Sequence, residues 1–423
     1  DTLSLHDALP ILGIYINVMN IQQSSSQSQE VHPSNFTTAI QMGTQDPECY
    51  RTSSLSIFII TWNVSGFNPK DPELISDLMS PLIQKLSASP PSLFSVNLQE
   101  VIELKGFVGA MAQWAKEKPI VNKWSNAISY WLNKLEGGYT LIGDEMLVGL
   151  LTLNFAHNSI RDKIQAAPIT EDKTALNGTF GHKGFLVSKF TFDDKNIALI
   201  NAHMNSGEGA MQERDKLIEN LYNALCSPYL NDIVLLYGDL NMRVIVDQMN
   251  YNRAMKEGKV FNSAIDWDYL YSVDEVKVGL HPILTKEFFE QTVTFPMTYK
   301  LDKSSGEPRY VSDRVASWTD RIFLWFSKKR RMDIEVPVYN YSPVVLSDHF
   351  PVHGLYAISF RDFDQQMAIQ KYGAARATIS VQQYVGQVMP GSYFQGFNPS
   401  VTTPMQYRLA QPLPSSMYPL GQY

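Results

Sequence analysis

A 423-residue chain that is 44% hydrophobic and 18% charged can build a sizeable globular core, as one large domain with tails or two moderate ones. Its formal net charge of -7 argues against a generally sticky nucleic-acid binder. Two cysteines, Cys49 and Cys226, exclude a multi-bridge secreted scaffold and lack metal-ligand spacing, so a reducing intracellular compartment is expected.

Residues 8–21 are apolar, but Asp1, His6 and Asp7 precede them without the Lys or Arg of a signal peptide, and no initiating Met is present. The first twenty or so residues therefore carry no functional expectation. No uninterrupted apolar stretch is long enough for a membrane span, so the chain is expected to be soluble. Residues 22–29 are a Ser/Gln run, and the segment up to about Thr52 reads as a linker. The predicted folded domain is 54–361, between an unstructured segment 1–53 and a tail 362–423. Rich in Gln, Pro and Tyr, that tail is expected to be disordered.

Within the domain, residues 55–62 read as a buried strand ending at Asn63, followed by a helix that opens at Asp71-Pro72. Residues 93–98 form the next strand, with Gln99-Glu100 at its end. A helical pattern covers 109–135, with Trp124, Ile128, Trp131, Leu132 and Leu135 on one face. Strands are expected at 146–155, 184–191 and 197–202, the last leading into His203, and a helix at 212–225. The apolar run 233–238 delivers Asp239, Asn241 and Arg243 at alternate positions as it ends. Arg243 is expected to pair with a neighbouring carboxylate. Strands at 322–326 and 352–360 close the domain, the second preceded by Asp348-His349. Strands and helices alternate through irregular connections, which predicts a layered α/β arrangement.

Asn63, Gln99-Glu100, His203, Asp239 with Asn241, and Asp348-His349 cap five strands with polar groups, and such a pattern points to one shared rim. Glu100 and Asn63 are hard oxygen ligands without a Cys or His at metal spacing, which suits Mg²⁺ rather than zinc. Asp239 can take a proton from water, and Asn241 can orient that water or a phosphate. Asp320 is the best carboxylate to fix the tautomer of His349. A cationic His349 and a cationic His203 would then neutralise a phosphoryl group under in-line attack. With no cysteine nucleophile in a phosphate-cradling loop and no Gly-x-x-x-x-Gly-Lys-Ser/Thr, attack by water is expected.

Eight blocks now stand in one order: Thr61-Trp62-Asn63-Val64-Ser65-Gly66, Leu98-Gln99-Glu100, Gly181-His182-Lys183-Gly184, Asn201-Ala202-His203, Tyr237-Gly238-Asp239-Leu240-Asn241-Met242-Arg243, Phe295-Pro296-Met297-Thr298-Tyr299-Lys300, Trp318-Thr319-Asp320-Arg321 and Ser347-Asp348-His349. The set resembles the inositol polyphosphate 5-phosphatases over roughly residues 55–360. The resemblance implies the endonuclease/exonuclease/phosphatase fold, a four-layer α/β sandwich of two mixed β-sheets flanked by helices, as in deoxyribonuclease I. It also implies Mg²⁺-dependent removal of the 5-phosphate from inositol lipids or soluble inositol phosphates. By matching position, Glu100 and Asn63 would serve the metal, Asp239 the water, and Asn241, His203 and His349 the scissile phosphate. Asp320 would orient His349, and Asp348 would support the site. Tyr299 and Lys300 match the block that contacts a neighbouring 4-phosphate, and Lys183 and Arg321 are further phosphate-site candidates.

Three departures stand out: Ala316 and Thr319 replace the Pro and Cys usual in Pro-x-Trp-Cys-Asp-Arg, Met204-Asn205-Ser206 replaces Leu-Ala-Ala, and His182 replaces Asn. Residues 328–331, Lys-Lys-Arg-Arg, are either a solvated loop or, following the Trp-Thr-Asp-Arg strand, a contact for anionic lipid near the site. The expected setting is cytoplasmic, peripheral on the cytosolic face of membranes, with no nucleic-acid partner. The alternatives are a Mg²⁺-dependent nuclease of the same superfamily and a catalytically impaired phosphoinositide-binding module.

Overall fold

The structure, a computed structural model, describes residues 33–102, 110–147, 149–173, 183–255, 259–260, 262–304 and 308–373. His182, the 22–29 run and residues 374–423 of the tail lie outside them, whereas residues 362–373, expected to be disordered, contain the end of a strand and a helical segment from Gln365 to Gly373. The described chain divides into two compact units, residues 54–360 and a smaller one from residues up to 53 and from 361 onward. In the smaller unit, residues expected to be a linker contain a helix, α1 (Pro33–Gly43), and a helical turn (Pro47–Cys49). Asp46 caps that turn by accepting a hydrogen bond from Glu48 N.

The larger unit is built on two six-stranded sheets. Sheet one has the order β11-β12-β1-β2-β4-β3, with β1 at Tyr50–Asn63, β2 at Leu93–Gln99, β3 at Tyr139–Leu147, β4 at Leu150–His157, β11 at Arg331–Tyr341 and β12 at Val352–Phe363. Sheet two has the order β10-β9-β8-β7-β5, with β6 also paired to β7. Its strands are β5 (Ile164–Ala166), β6 (Thr170–Lys173), β7 (Gly184–Phe192), β8 (Lys195–His203), β9 (Ile233–Asp239) and β10 (Asp320–Phe326). Both are mixed: β1 runs parallel to β2 and β8 parallel to β9, while their other characterised neighbours are antiparallel.

Strand alternation distributes the apolar residues over three layers of contact. Ile57 and Ile59 of β1 meet Leu199, Leu235 and Ile322 between the sheets. Phe58, Ile60 and Trp62 face outward onto α2 (Ser76–Leu86) and α3 (Ala110–Leu132), through Leu78, Leu82, Trp124 and Ile128. On the other side Ile200, Val234 and Leu236 pack against Ile218, Leu221 and Leu225 of α4 (Met211–Leu225). This is the expected four-layer sandwich.

The space between the sheets is not uniformly apolar. Gln99 Nε2 donates to Asn201 Oδ1 at 2.8 Å, Asn201 Nδ2 to Thr152 Oγ1 at 3.1 Å, and Thr152 Oγ1 to Asn97 Oδ1 at 3.1 Å. Asn97 Nδ2 continues to Ser95 Oγ at 2.9 Å, Ser95 Oγ to Asn154 Oδ1 at 2.7 Å, and Asn154 Nδ2 to Ser188 Oγ at 2.9 Å. Every member is buried. The chain of donors and acceptors joins both sheets and fixes their relative register, because an unmatched buried amide would cost about 1–3 kcal/mol.

Two expectations about elements change. The run expected as one strand at 146–155 is the second half of a β3–β4 hairpin, in which Leu147 pairs with Leu150 and Gly149 turns the chain at φ 110°. The basic residues 328–331 do not lie near the predicted rim. β10 is antiparallel to β9, with Asp320 opposite Asp239 and Phe326 opposite Ile233, so these residues sit at the far end of the sheet, about 20 Å away at ~3.3 Å per residue. Arg330 is held there by Asp194 and Asp232, at 3.0 and 3.2 Å. Among the described residues no helix is long and apolar enough to cross a membrane.

Candidate active site

The rim forms where β1, β2, β8 and β9 end together. The parallel registers place Asn63 beside Gln99 and His203 beside Asp239. Gly238 is required for the second pairing: at φ 138°, a Cβ there would stand 1.8 Å from the carbonyl oxygen of Ala202. Beyond the strands the backbone turns sharply through Ser65, Glu100 and Asn241, all non-glycine residues at positive φ (46°, 53° and 56°). Three such strained conformations around one rim are the pattern of a preorganised site.

Asp239 is the hub. Its Oδ2 accepts from Asn63 Nδ2 at 3.0 Å and lies 3.2 Å from His203 Nε2 and 4.0 Å from His349 Nε2. Its Oδ1 accepts from Asn241 N at 3.1 Å. Burial opposes ionisation here, but His203, His349 and Lys183 together hold the carboxyl far below the usual carboxylate range. Asp320 supports His349 from behind, with Oδ2 2.8 Å from Nδ1. Thr298 and Thr319 also donate to that oxygen, at 2.6 and 2.8 Å. Thr319 thus supplies an O–H donor where a cysteine was expected. Burial pulls the His349 pKa down, but the charge of Asp320 and its hydrogen bond prevail and push it up to about 9. Trp62 Nε1 donates to the His349 carbonyl at 3.0 Å, and Ser347 Oγ to the Asn63 carbonyl at 2.6 Å. These bonds pin the last strand's approach to the first.

His203 departs from expectation. Burial, reinforced by the adjacent charge of Lys183, lowers its pKa, so it is not an independent cation. Lys183 Nζ contacts His203 Nε2, and burial likewise lowers the lysine against the attraction of Asp239 and Glu100. Two touching cations would repel, so the pair is best described as holding one positive charge opposite Asp239.

Arg321 is a correction. It is fully buried, and its guanidinium pairs with Asp274 at 3.0 Å and Glu290 at 2.6 Å. One residue past Asp320 on a strand, it points to the opposite face, so it is a structural ion pair and not a phosphate ligand. Tyr299 does join the site, its ring 4.3 Å from that of His349 and its hydroxyl accepting from Arg314 Nη1 at 2.6 Å. Lys300 and Asp348 are half-buried beside it, and the Asp348 carbonyl accepts from Leu301 N at 2.9 Å. Arg243 donates to Asn241 Oδ1, an amide where a carboxylate was expected. Thr298, Thr319 and Arg314 carry site contacts that motif reading did not assign. Thr319 was legible as the residue before Asp320, whereas Thr298 reaches Asp320 only through the fold.

For a metal, the donor chemistry is the test. The Glu100 side chain is 43% exposed at the mouth, with Oε1 3.7 Å from His203 Nε2. Asn63 Oδ1 accepts from Ser65 N at 3.1 Å and keeps a second lone pair. An exposed carboxylate and a buried amide oxygen fit a hard divalent cation that retains waters on its open side. Asp239, Asp320 and His349 also bring ligand-type atoms within 4.8 Å of one another. There the His349 Nδ1 is already engaged by Asp320, which makes the group a charge-fixing triad.

These strands and this rim define a class: the chain belongs to the Endonuclease/Exonuclease/phosphatase family 2, whose model matches residues 60–355. Within it, the chain is 25% identical over 352 residues to the polyphosphatidylinositol phosphatase INP53 of Saccharomyces cerevisiae, covering 80% of this chain and 30% of that protein. It is 24% identical to the Type II inositol 1,4,5-trisphosphate 5-phosphatase of Mus musculus, over 73% of this chain and 30% of that protein. The chain therefore spans about a third of the length of these curated relatives. Among solved structures, the inositol polyphosphate 5-phosphatase domain of SPsynaptojanin, in complex with inositol (1,4)-bisphosphate and calcium ion, matches with a TM-score of 0.63 at 21% identity, over 83% of this chain and 99% of that one. A Cimex nitrophorin, a ferrous NO complex, matches at 0.52 with 18% identity, over 72% and 98%. The fold is common to both, so chemistry has to be argued from the rim.

Proposed function

We propose that the chain is a phosphoric monoester hydrolase that removes the 5-phosphate of an inositol ring by direct attack of water. Its substrates would be phosphoinositides such as phosphatidylinositol 4,5-bisphosphate, soluble inositol polyphosphates, or both. The observation that carries the reading is the convergence on Asp239: a charged His349 backed by Asp320 on one side, the Lys183–His203 pair on another, the buried Asn63 amide bonded to it, and Glu100 at the mouth. The relatives' names point the same way. Mg²⁺ fits the oxygen donors of Glu100 and Asn63, and when bound it supplies charge neutralisation of the phosphoryl oxygens and the leaving oxygen.

The chain's own residues do the rest. A carboxylate as acidic as Asp239 is a weak base, so its first task is to accept a hydrogen bond from the attacking water and aim a lone pair at phosphorus. Phosphoryl transfer tolerates this, because its loose transition state needs little proton removal before the bond to the leaving oxygen stretches. His349, cationic up to about pH 9, and the charge of the Lys183–His203 pair face the developing negative charge. Asn241, with Nδ2 engaged by the Met204 carbonyl at 2.9 Å, keeps a second N–H for a phosphoryl oxygen. A cytosolic protein working peripherally at a membrane is the setting that goes with this reading.

Phosphate release from phosphatidylinositol 4,5-bisphosphate vesicles and from soluble inositol trisphosphate, together with strand scission of an abasic DNA duplex, each with and without Mg²⁺, tests the proposal. Release from an inositol substrate only with Mg²⁺ is expected, and Asp239→Ala should abolish it with an unchanged thermal melt. No release from either inositol substrate sinks the reading, and cleavage of the DNA alone would favour the nuclease.

A further inference from the structure

Arg243 lies beside the rim, yet the chemistry above gives it no task. Its guanidinium donates to Asn241 Oδ1, while Asn241 Nδ2 donates to the Met204 carbonyl at 2.9 Å. An amide turned over in that position would face the Met204 carbonyl with its own oxygen and Arg243 with its own N–H groups, acceptor to acceptor and donor to donor. The two partners therefore fix which end of the amide is which.

Both partners belong to one frame. The Arg243 carbonyl accepts from Glu275 N at 2.8 Å, and Glu275 takes both oxygens to Arg214 Nη2, at 2.7 and 2.9 Å. Arg214 Nη1 then donates to the carbonyls of Asn205 and Gly207, at 3.1 and 3.2 Å, in the loop that begins with Met204. Met204 N itself is bonded to the Asp239 carbonyl at 3.0 Å. The Arg243 guanidinium is also seated over the Tyr299 ring, 5.3 Å from its centroid. Asn241 thus sits at positive φ with its side-chain amide gripped from two ends of a single connected network.

We propose that Arg243 is a positioning residue for the hydrolysis: it locks the Asn241 amide so that the free Nδ2–H is presented to the phosphoryl oxygen. The inference rests on the hydrolase reading for its kinetic consequence and on the hydrogen bonds for its structural one. The competing role is direct contact with substrate, because Arg243 also lines an open cleft of about 740 Å³ together with Arg314, Gln248 and Ser206.

A double-mutant cycle separates the two. Arg243→Ala should lower kcat about 10- to 100-fold, the usual scale for a group that orients another, with little change in KM. The Arg243→Ala/Asn241→Ala double variant should be no slower than Asn241→Ala alone, and added guanidinium should restore kcat to Arg243→Ala but not to the double variant. Additive losses, or a loss confined to KM, would overturn the proposal in favour of substrate contact. An arm independent of turnover follows the Asn241 side-chain N–H₂ signals by NMR in the asparagine-¹⁵N-labelled full chain. Arg243→Ala should accelerate their exchange; unchanged signals overturn the inference. If the wild type releases no phosphate from inositol substrates, the hydrolase reading fails while this arm still decides on Arg243. Should Arg243→Ala not fold, Arg243→Gln replaces it in both arms.

Discussion

The charge of His349 is made by its neighbour. Left to burial alone the imidazole would be neutral at physiological pH; Asp320, itself held by Thr298 and Thr319, reverses that. Because the folded pKa is raised to about 9, the cationic form is present below that pH and lost as pH rises through it. The pH–rate profile should accordingly show an alkaline limb near pH 9. Asp320→Asn keeps an acceptor for Nδ1 but removes the charge, so it should move the limb to lower pH and cut kcat at pH 7. A limb that stays in place in this variant would show that His349 does not control it. The neighbouring Lys183–His203 pair illustrates the opposite outcome, in which burial prevails because the closest charge is of like sign.

At the scale of elements, alternation along β10 separates function from support. Ile322 and Leu324 face the inter-sheet core with Asp320, whereas Phe323 and Trp325 share the outer face with Arg321. Arg321→Met should break a buried pair with Asp274 and Glu290 and cost about 3–5 kcal/mol in urea unfolding, with KM unchanged in the folded fraction. Wild-type stability with a raised KM would restore Arg321 as a phosphate ligand. The period-2 rule applied to Asp320-Arg321 could have placed this arginine from sequence alone. Other strand ends were legible because an apolar run stopped at a polar pair, as at Leu236-Tyr237-Gly238-Asp239. The β3–β4 hairpin was not, since its turn at Gly149 is embedded in an apolar run. β11 was hidden by its basic start and by Pro337, which an edge strand tolerates. Asn97, Asn154 and Ser188 read as ordinary polar alternates, and only the packing of two sheets shows them joined.

For the molecule as a whole, stability acquires a pH dependence from the opposite end of the histidine range. His353 on β12 stacks on Phe58 with ring centroids 5.8 Å apart, and burial, aided by Lys85, lowers its pKa to about 3. The unfolded chain takes up a proton near pH 6.5 that the folded chain refuses. Stability should therefore fall as pH drops from 6.5 toward 3, by up to about 1.4 kcal/mol per pH unit, and be unaffected by this group above that range. Urea titrations at pH 7.5 and 5 should show a smaller loss in His353→Gln; equal losses would remove His353 as a cause. The bond from Trp62 to the His349 carbonyl, which closes the rim, has a consequence of another kind. Its partners are 287 residues apart, and those of the Ser347–Asn63 bond 284. At ribosomal speeds of ~5–20 residues per second, Asn63 and Glu100 wait on the order of tens of seconds before the segment bearing His349 emerges. The centre thus stays incomplete until nearly the whole domain has been made, and a nascent chain stalled before residue 349 carries Asn63, Glu100 and Asp239 without the histidine that faces them.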